Sequence, residues 1–236
     1  MDLASRLADI DARIADAARS AGRDATAITR IVVTKFHPVG LIRDLHGLGV
    51  RDVGENRLQE LAEKVDAAHD LPGLRWHFIG QAQTNKVRLL AAAAARVPLT
   101  IHSIDRPKLV DALDRALGAD GGPHAASPID SLLQINLTDD PGRGGIAPAD
   151  LERLVEQTAR TSTLRVRGVM GVAPLDEPPA AAFDRLARYS ERVRAVVPDA
   201  TWISAGMTGD YAEAIVAGAT HLRIGSAITG PRPERD

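Results

Sequence analysis

The sequence predicts an α/β protein, a single (β/α)8 TIM barrel with an additional N-terminal helix. Three observations carry that prediction. Short β-branched runs alternate with Ala-, Leu-, Arg- and Glu-rich stretches whose apolar residues recur three and four apart. Eight such runs occur, starting about 27 residues apart, which suits one strand–helix unit. The chain has 236 residues, near the ~250 typical of such barrels. A doubly wound sheet uses the same units, but the count of eight and the lack of a dinucleotide fingerprint on any strand favour the barrel.

The first element is a helix from Leu3 to about Ala21; its charges run throughout, so it lacks the apolar stretch of a signal peptide. The strand runs are Ile31–Phe36, Arg51–Gly54, Arg75–Gly80, Leu99–Ile104, Ile129–Leu137, Leu164–Val172, Thr201–Ala205 and His221–Ile224. Between them, Pro107–Leu117 and Ala149–Thr161 are the clearest helical stretches. Asp105, two positions before Pro107, and the pair Ala147-Pro148 mark helix starts. Only Gly-Pro-Arg-Pro-Glu-Arg-Asp follows the eighth unit, so the N-terminal helix is expected to cover that part of the wall. No segment reads as a linker, and residues 1–236 are expected to form one domain. The loops Gly118–Pro128 and Thr138–Gly145 are expected to be the most mobile.

Composition narrows the function. Hydrophobic residues make up 44% and aromatics 3%, so the core is aliphatic. With 29 basic and 31 acidic residues the net charge is −2, which offers no electrostatic footprint for nucleic acid or anionic lipid. The absence of cysteine removes disulfides, thiolate metal sites and a Cys nucleophile. The seven histidines are scattered without metal-ligand spacing. The longest apolar stretch, Leu89–Ala95, is far short of a membrane span. A cytoplasmic protein without a metal is expected.

Barrel enzymes work at the C-terminal ends of their strands, and phosphate often binds in the loops after strands seven and eight. Here those loops read Ser204-Ala-Gly206-Met207-Thr208-Gly209 and Gly225-Ser226. Small residues let backbone approach an anion, hydroxyls donate to it, and helix starts add favourable partial charge. One such loop would be an ordinary turn; two in the expected places point to phosphate. Lys35, at the end of strand one, is a candidate amine for Schiff-base chemistry. A lysine with a phosphate site across the barrel suggests a phosphorylated carbonyl compound, either pyridoxal phosphate or the sugar-phosphate substrate of an aldolase. Arg223 ends strand eight and could face a ligand ring or close a barrel salt bridge. His77, Asn56 and Asn136 could orient a ligand or be core and turn residues. Gly142-Arg-Gly144-Gly-Ile-Ala147 matches a dinucleotide motif by chance, because the next strand ends without an acidic residue.

Eight motifs in order make the chain recognisable: Val33-Thr-Lys35, Gly54-Glu-Asn-Arg-Leu-Gln-Glu60, Trp76-His-Phe-Ile-Gly80, Gln83-Thr-Asn-Lys86, Leu133-Gln-Ile-Asn136, Gly168-Val-Met170, Ser204-Ala-Gly-Met-Thr208 and Arg223-Ile-Gly-Ser-Ala-Ile228. Together they resemble the pyridoxal phosphate homeostasis protein family, over about Ile31 to Gly230. The resemblance implies an alanine-racemase-like barrel holding pyridoxal 5′-phosphate as a Schiff base on Lys35. Its phosphate would lie around Ser204, Met207, Thr208, Gly225 and Ser226, with Arg223 facing the pyridine nitrogen and Asn56 and His77 near the ring.

Some positions depart from the family pattern. Thr34 and Phe36 flank the lysine where Ser and Thr or Asn are usual, and Phe36 could alter access to it. Arg143-Gly-Gly145 stands for Lys-Ser-Gly. Thr208 and Ser226 exchange the usual Ser and Thr.

An arginine at the pyridine nitrogen makes the ring a weak electron sink. Both tyrosines, Tyr189 and Tyr211, fall in helical stretches, and only ten residues follow Ser226, so no second catalytic base is evident. The expectation is therefore a carrier in vitamin B6 homeostasis that supplies the cofactor to apo-enzymes through transient contacts. It is expected to be a monomer rather than a stable oligomer. The alternatives are an amino-acid racemase using the same cofactor and, further off, a Schiff-base aldolase.

Overall fold

The computed structural model describes residues 1–119, 127–140 and 142–233. Eight parallel strands, β1 (Thr29–Val33), β2 (Asp52–Glu55), β3 (Arg75–Phe78), β4 (Leu99–Ile104), β5 (Ile129–Gln134), β6 (Leu164–Met170), β7 (Trp202–Ser204) and β8 (His221–Ile224), close in sequence order into a barrel among the described residues. Closure is made where Ile31 pairs with Arg223 and Val32 with Ile224. The strands are short because the β-branched runs extend past the last ladder pair: Thr34 to Phe36, for example, already belong to a turn.

The helices are α1 (Leu3–Ser20), α2 (Val39–Gly47), α3 (Leu58–Ala68), α4 (Val87–Ala94), α5 (Pro107–Ala119), α6 (Leu151–Ala159), α7 (Pro179–Val196), α8 (Tyr211–Val216) and α9 (Ser226–Thr229). α1 buries Leu7, Ile10, Ile14 and Ala18, spaced three and four apart as one helical face requires. Asp2 caps it by accepting from the Ser5 N–H at 2.7 Å. As expected, α1 covers the wall beside the last unit. Arg6 Nε donates to the Ile228 carbonyl at 2.7 Å, and Arg23 Nη1 to those of Ile215 and Ala219 at 2.7 and 2.8 Å.

Two expectations about helix starts part ways. Pro148 opens a 3-10 turn that runs into α6. Asp105 does not cap α5: its carboxylate accepts from Gln81 Nε2 at 2.9 Å and pairs with Arg106. The packing is aliphatic, with Ile31, Leu61, Leu90, Leu113, Val169 and Leu222 fully buried. The loop Gly118–Pro128 lies largely outside the described residues, as does Pro141 in the Thr138–Gly145 loop. No described helix is long and apolar enough to cross a membrane.

Candidate functional site

Sequential closure fixes which strand ends are neighbours. β7, β8, β1 and β2 form one arc of the barrel, and their C-terminal ends carry the 205–210 loop, Gly225-Ser226, Lys35 and Asn56 in that order. The lysine therefore stands beside the two candidate phosphate loops. The expectation of a site across the barrel is corrected by the β1–β8 pairing.

Lys35 is exposed, on the turn that follows β1. That turn is fixed from behind. Thr34 Oγ1 donates to Glu55 Oε1 at 2.6 Å, and Lys64 Nζ, from α3, donates to the same oxygen at 2.7 Å and to the Thr34 carbonyl at 2.9 Å. Glu55 is fully buried; burial pushes its carboxyl up, and the Lys64 ammonium opposes that shift. Phe36 adopts φ 70°, a left-handed conformation unusual for an aromatic residue. Its N–H donates to Glu60 Oε2 at 2.8 Å, and its ring lies under the guanidinium groups of Arg57 and Arg232, 4.9 and 4.0 Å from the ring centre. Lys35 Nζ is 5.8 Å from that centre.

In the loop after β7, Gly206 has φ 87°, and a Cβ there would lie 2.7 Å from that of Ala214, so the turn into α8 demands glycine. Thr208 and Ser226 are exposed, so both hydroxyls are free to meet a ligand's oxygens. Met207 is also exposed, but its N–H already donates to Asp210 Oδ1 at 2.6 Å. Asn56 follows β2, and its Oδ1 is buried without a partner. Gly80 packs against it so closely that a Cβ would sit 2.0 Å from the Asn56 carbonyl oxygen. Asn136, by contrast, spends its side chain on its own loop. Its Nδ2 donates to the Asp140 carbonyl at 2.9 Å, and its Oδ1 accepts from the Thr138 N–H at 2.9 Å.

Arg223 points into the barrel. Its Nη1 donates to Ser204 Oγ at 2.8 Å and its Nη2 to the Gly171 carbonyl at 2.9 Å. Burial lowers its pKa to about 10, so the guanidinium stays charged at neutral pH.

His77 and Ser204 are not where a ligand at the mouth would need their side chains, and those two expectations are corrected. His77 Nε2 lies 2.9 Å from Asp52 Oδ1 and its Nδ1 3.0 Å from His102 Nε2. The Ser204 hydroxyl is taken by Arg223 and by His102 Nδ1, at 2.9 Å. A residue two places along a strand points the same way but sits deeper, and the periodicity of a strand does not record depth.

A cavity of about 390 Å³ opens at the other end of the barrel, lined by Asp52, Arg75, Asp130, Arg165, Trp202 and His221 among others. Its charges are already paired: Arg75 Nη2 with Asp52 Oδ2 at 2.6 Å and Arg165 Nε with Asp130 Oδ1 at 2.6 Å. Sequence reasoning missed Glu55 with Lys64, and also His102 and His221. The available signals were the Glu60/Lys64 spacing of one helical turn and three histidines on inward-facing strand positions.

Known proteins share both the fold and this arrangement of the chain. The family of alanine racemase N-terminal domains matches residues 6–233. A pyridoxal phosphate homeostasis protein of Mycobacterium tuberculosis is 38% identical, over 98% of this chain and 93% of that protein. The structure of PipY from Synechococcus elongatus with pyridoxal phosphate bound superposes with a TM-score of 0.80 at 32% identity, over 97% of this chain and all of that one. D-threonine aldolase from Filomicrobium marinum shares the fold, with a TM-score of 0.73 at 20% identity, and this chain covers 59% of it.

Proposed function

The chain belongs to the pyridoxal phosphate homeostasis protein family, within the wider family of alanine racemase N-terminal domains, and from that premise we propose that it is a one-domain carrier of pyridoxal 5′-phosphate. It would hold the cofactor covalently on Lys35 and release it to apo-enzymes in the cytoplasm. The observation that carries the reading is the arc of strand ends on which the lysine stands between the phosphate loops and Asn56. The full-length likeness to homeostasis proteins supports it further.

The residues present suit such a ligand. The cofactor supplies an aldehyde that condenses reversibly with an amine, releasing water. Lys35 offers that amine on a rigid turn, with solvent access for the water to leave and return. Thr208 and Ser226 offer hydroxyl donors to a phosphate, with Gly225 allowing close approach of the backbone. Met207 would contribute side-chain contact alone, since its N–H is engaged. Asn56 offers a buried acceptor that a ligand's donor could satisfy. Arg223 would keep a fixed positive charge facing the ring nitrogen, which disfavours protonation of that nitrogen. Ser204 would serve by holding Arg223.

The test is to mix the protein with pyridoxal phosphate, reduce with borohydride and map the modified peptide. The label is expected on Lys35; no label, or one elsewhere, overturns the reading. Lys35→Ala is expected to lose it while its urea midpoint stays within about 0.5 kcal/mol of the parent. Incubation of the loaded protein with single-enantiomer amino acids in deuterated water separates carrier from racemase. Catalytic α-deuterium exchange would favour the enzyme.

A further inference from the structure

Five side chains form one hydrogen-bonded line through the barrel, and its two ends fix its direction. Arg223 can only donate, and ionised Asp52 can only accept. Burial opposes ionisation of Asp52, but the bonds from His77 and Arg75 outweigh it and hold the carboxyl at about 2. Between the ends, Arg223 Nη1 meets Ser204 Oγ, Ser204 Oγ meets His102 Nδ1, His102 Nε2 meets His77 Nδ1, and His77 Nε2 meets Asp52, all at 2.8–3.0 Å.

Only one assignment gives every hydrogen on the line an acceptor. Arg223 donates to Ser204, Ser204 to His102, His102 from Nε2 to His77, and His77 from Nε2 to Asp52. The reverse order, with a doubly protonated His77 donating to His102 and His102 donating to Ser204, leaves the serine hydrogen without an acceptor among the described residues. His102 is fully buried, and burial above all keeps it from taking a second proton.

We infer that Asp52 and His77, at the barrel end opposite Lys35, are positioning residues that brace Arg223 through His102 and Ser204. The line is a brace and not a proton wire, because a hop along it would have to begin by deprotonating an arginine. The inference rests on the proposed function only where it makes Arg223 face the cofactor. It gives His77 a role at the site that contact would not reveal.

Two measurements test it. In the full chain without cofactor at pH 7, long-range 1H–15N correlation of the histidine rings should show His77 and His102 both carrying the proton on Nε2. An Nδ1–H ring at either position, or a doubly protonated His77, overturns the brace.

The second measurement reads the mouth from a distance. Asp52→Ala and Ser204→Ala, confirmed as folded, should each raise the dissociation constant for pyridoxal phosphate by about 3- to 10-fold and shift the absorption band of the bound form. Ser204→Ala should give the larger change. A folded Asp52→Ala with parental affinity and band means that the far end only stabilises the barrel. Should Asp52→Ala not fold, the ring tautomers decide alone. If the parent protein takes up no cofactor, the proposed function fails while the tautomers still decide the brace.

Discussion

The two halves of the barrel interior carry similar polar side chains and treat them in opposite ways. In the half nearer the N-terminal ends, Asp52, His77 and His102 spend their polar atoms on one another, on Arg75 and on Ser204. At the mouth, Lys35, Thr208 and Ser226 stand exposed, and a buried oxygen of Asn56 has no partner. A buried polar group is tolerated when its bonds are complete and costs about 1–3 kcal/mol when they are not. The closed half therefore holds itself together, and the open half keeps donors and an acceptor to spare, as the proposed ligand site requires. Substitutions in the first should show mainly in stability, reaching binding only along the line that ends at Arg223, and substitutions in the second should show in binding.

The largest expected effect lies behind β1, in the buried cluster of Thr34, Glu55 and Lys64. Glu55→Ala removes the acceptor of Thr34 and the shorter carboxylate contact of the buried Lys64 ammonium, leaving it the Thr34 carbonyl at 2.9 Å and Glu60 Oε2 at 3.6 Å, at an expected cost of about 3 kcal/mol in urea unfolding. A loss below about 1 kcal/mol would mean that water replaces the carboxylate, and that the turn carrying Lys35 is not held from behind.

Next comes acid. Burial above all lowers the His221 pKa from 6.5 to about 3. The unfolded chain takes up a proton near pH 6.5 that the folded chain refuses until about pH 3, so this group's contribution is full above pH 6.5 and is lost as pH falls through that window. The slope is about 1.4 kcal/mol per pH unit for this one residue. Thermal melts from pH 7 to 4 should show it, and His221→Gln should flatten the curve. A parental slope in that variant would show that His221 does not belong to the closed half.

The smallest effect sharpens the boundary between the halves. Phe36 sits at the mouth yet has a strained backbone, with φ 70°. Phe36→Val, β-branched, should be less stable than Phe36→Gly by about 1 kcal/mol or more, since only glycine is at ease there. Equal stabilities would mean that the turn relaxes once the ring leaves Arg57 and Arg232.

Much of the fold and the outline of a candidate site are legible in the amino-acid sequence. The alternation of β-branched and amphipathic runs gives the number of units, because a strand and a helix need different periods to bury one face. The Gly- and hydroxyl-bearing loops after strands seven and eight stand out because close approach and anion donors require those residue types. His77 and Ser204 are misplaced for the opposite reason: periodicity tells inside from outside but not how far along the axis a side chain stands. Lys64 escapes notice because its partner Glu55 lies on a different element.

Local pattern and motifs in fixed order were enough for the barrel, the family and the lysine at the end of strand one. It took the folded barrel to show that this lysine stands beside the candidate phosphate loops, that Phe36 takes a left-handed turn, and that His77 ends at Asp52. Those facts depend on closure, which pairs Ile31 with Arg223 across most of the chain's length. They also depend on which buried donors find acceptors, and a one-dimensional pattern cannot express either.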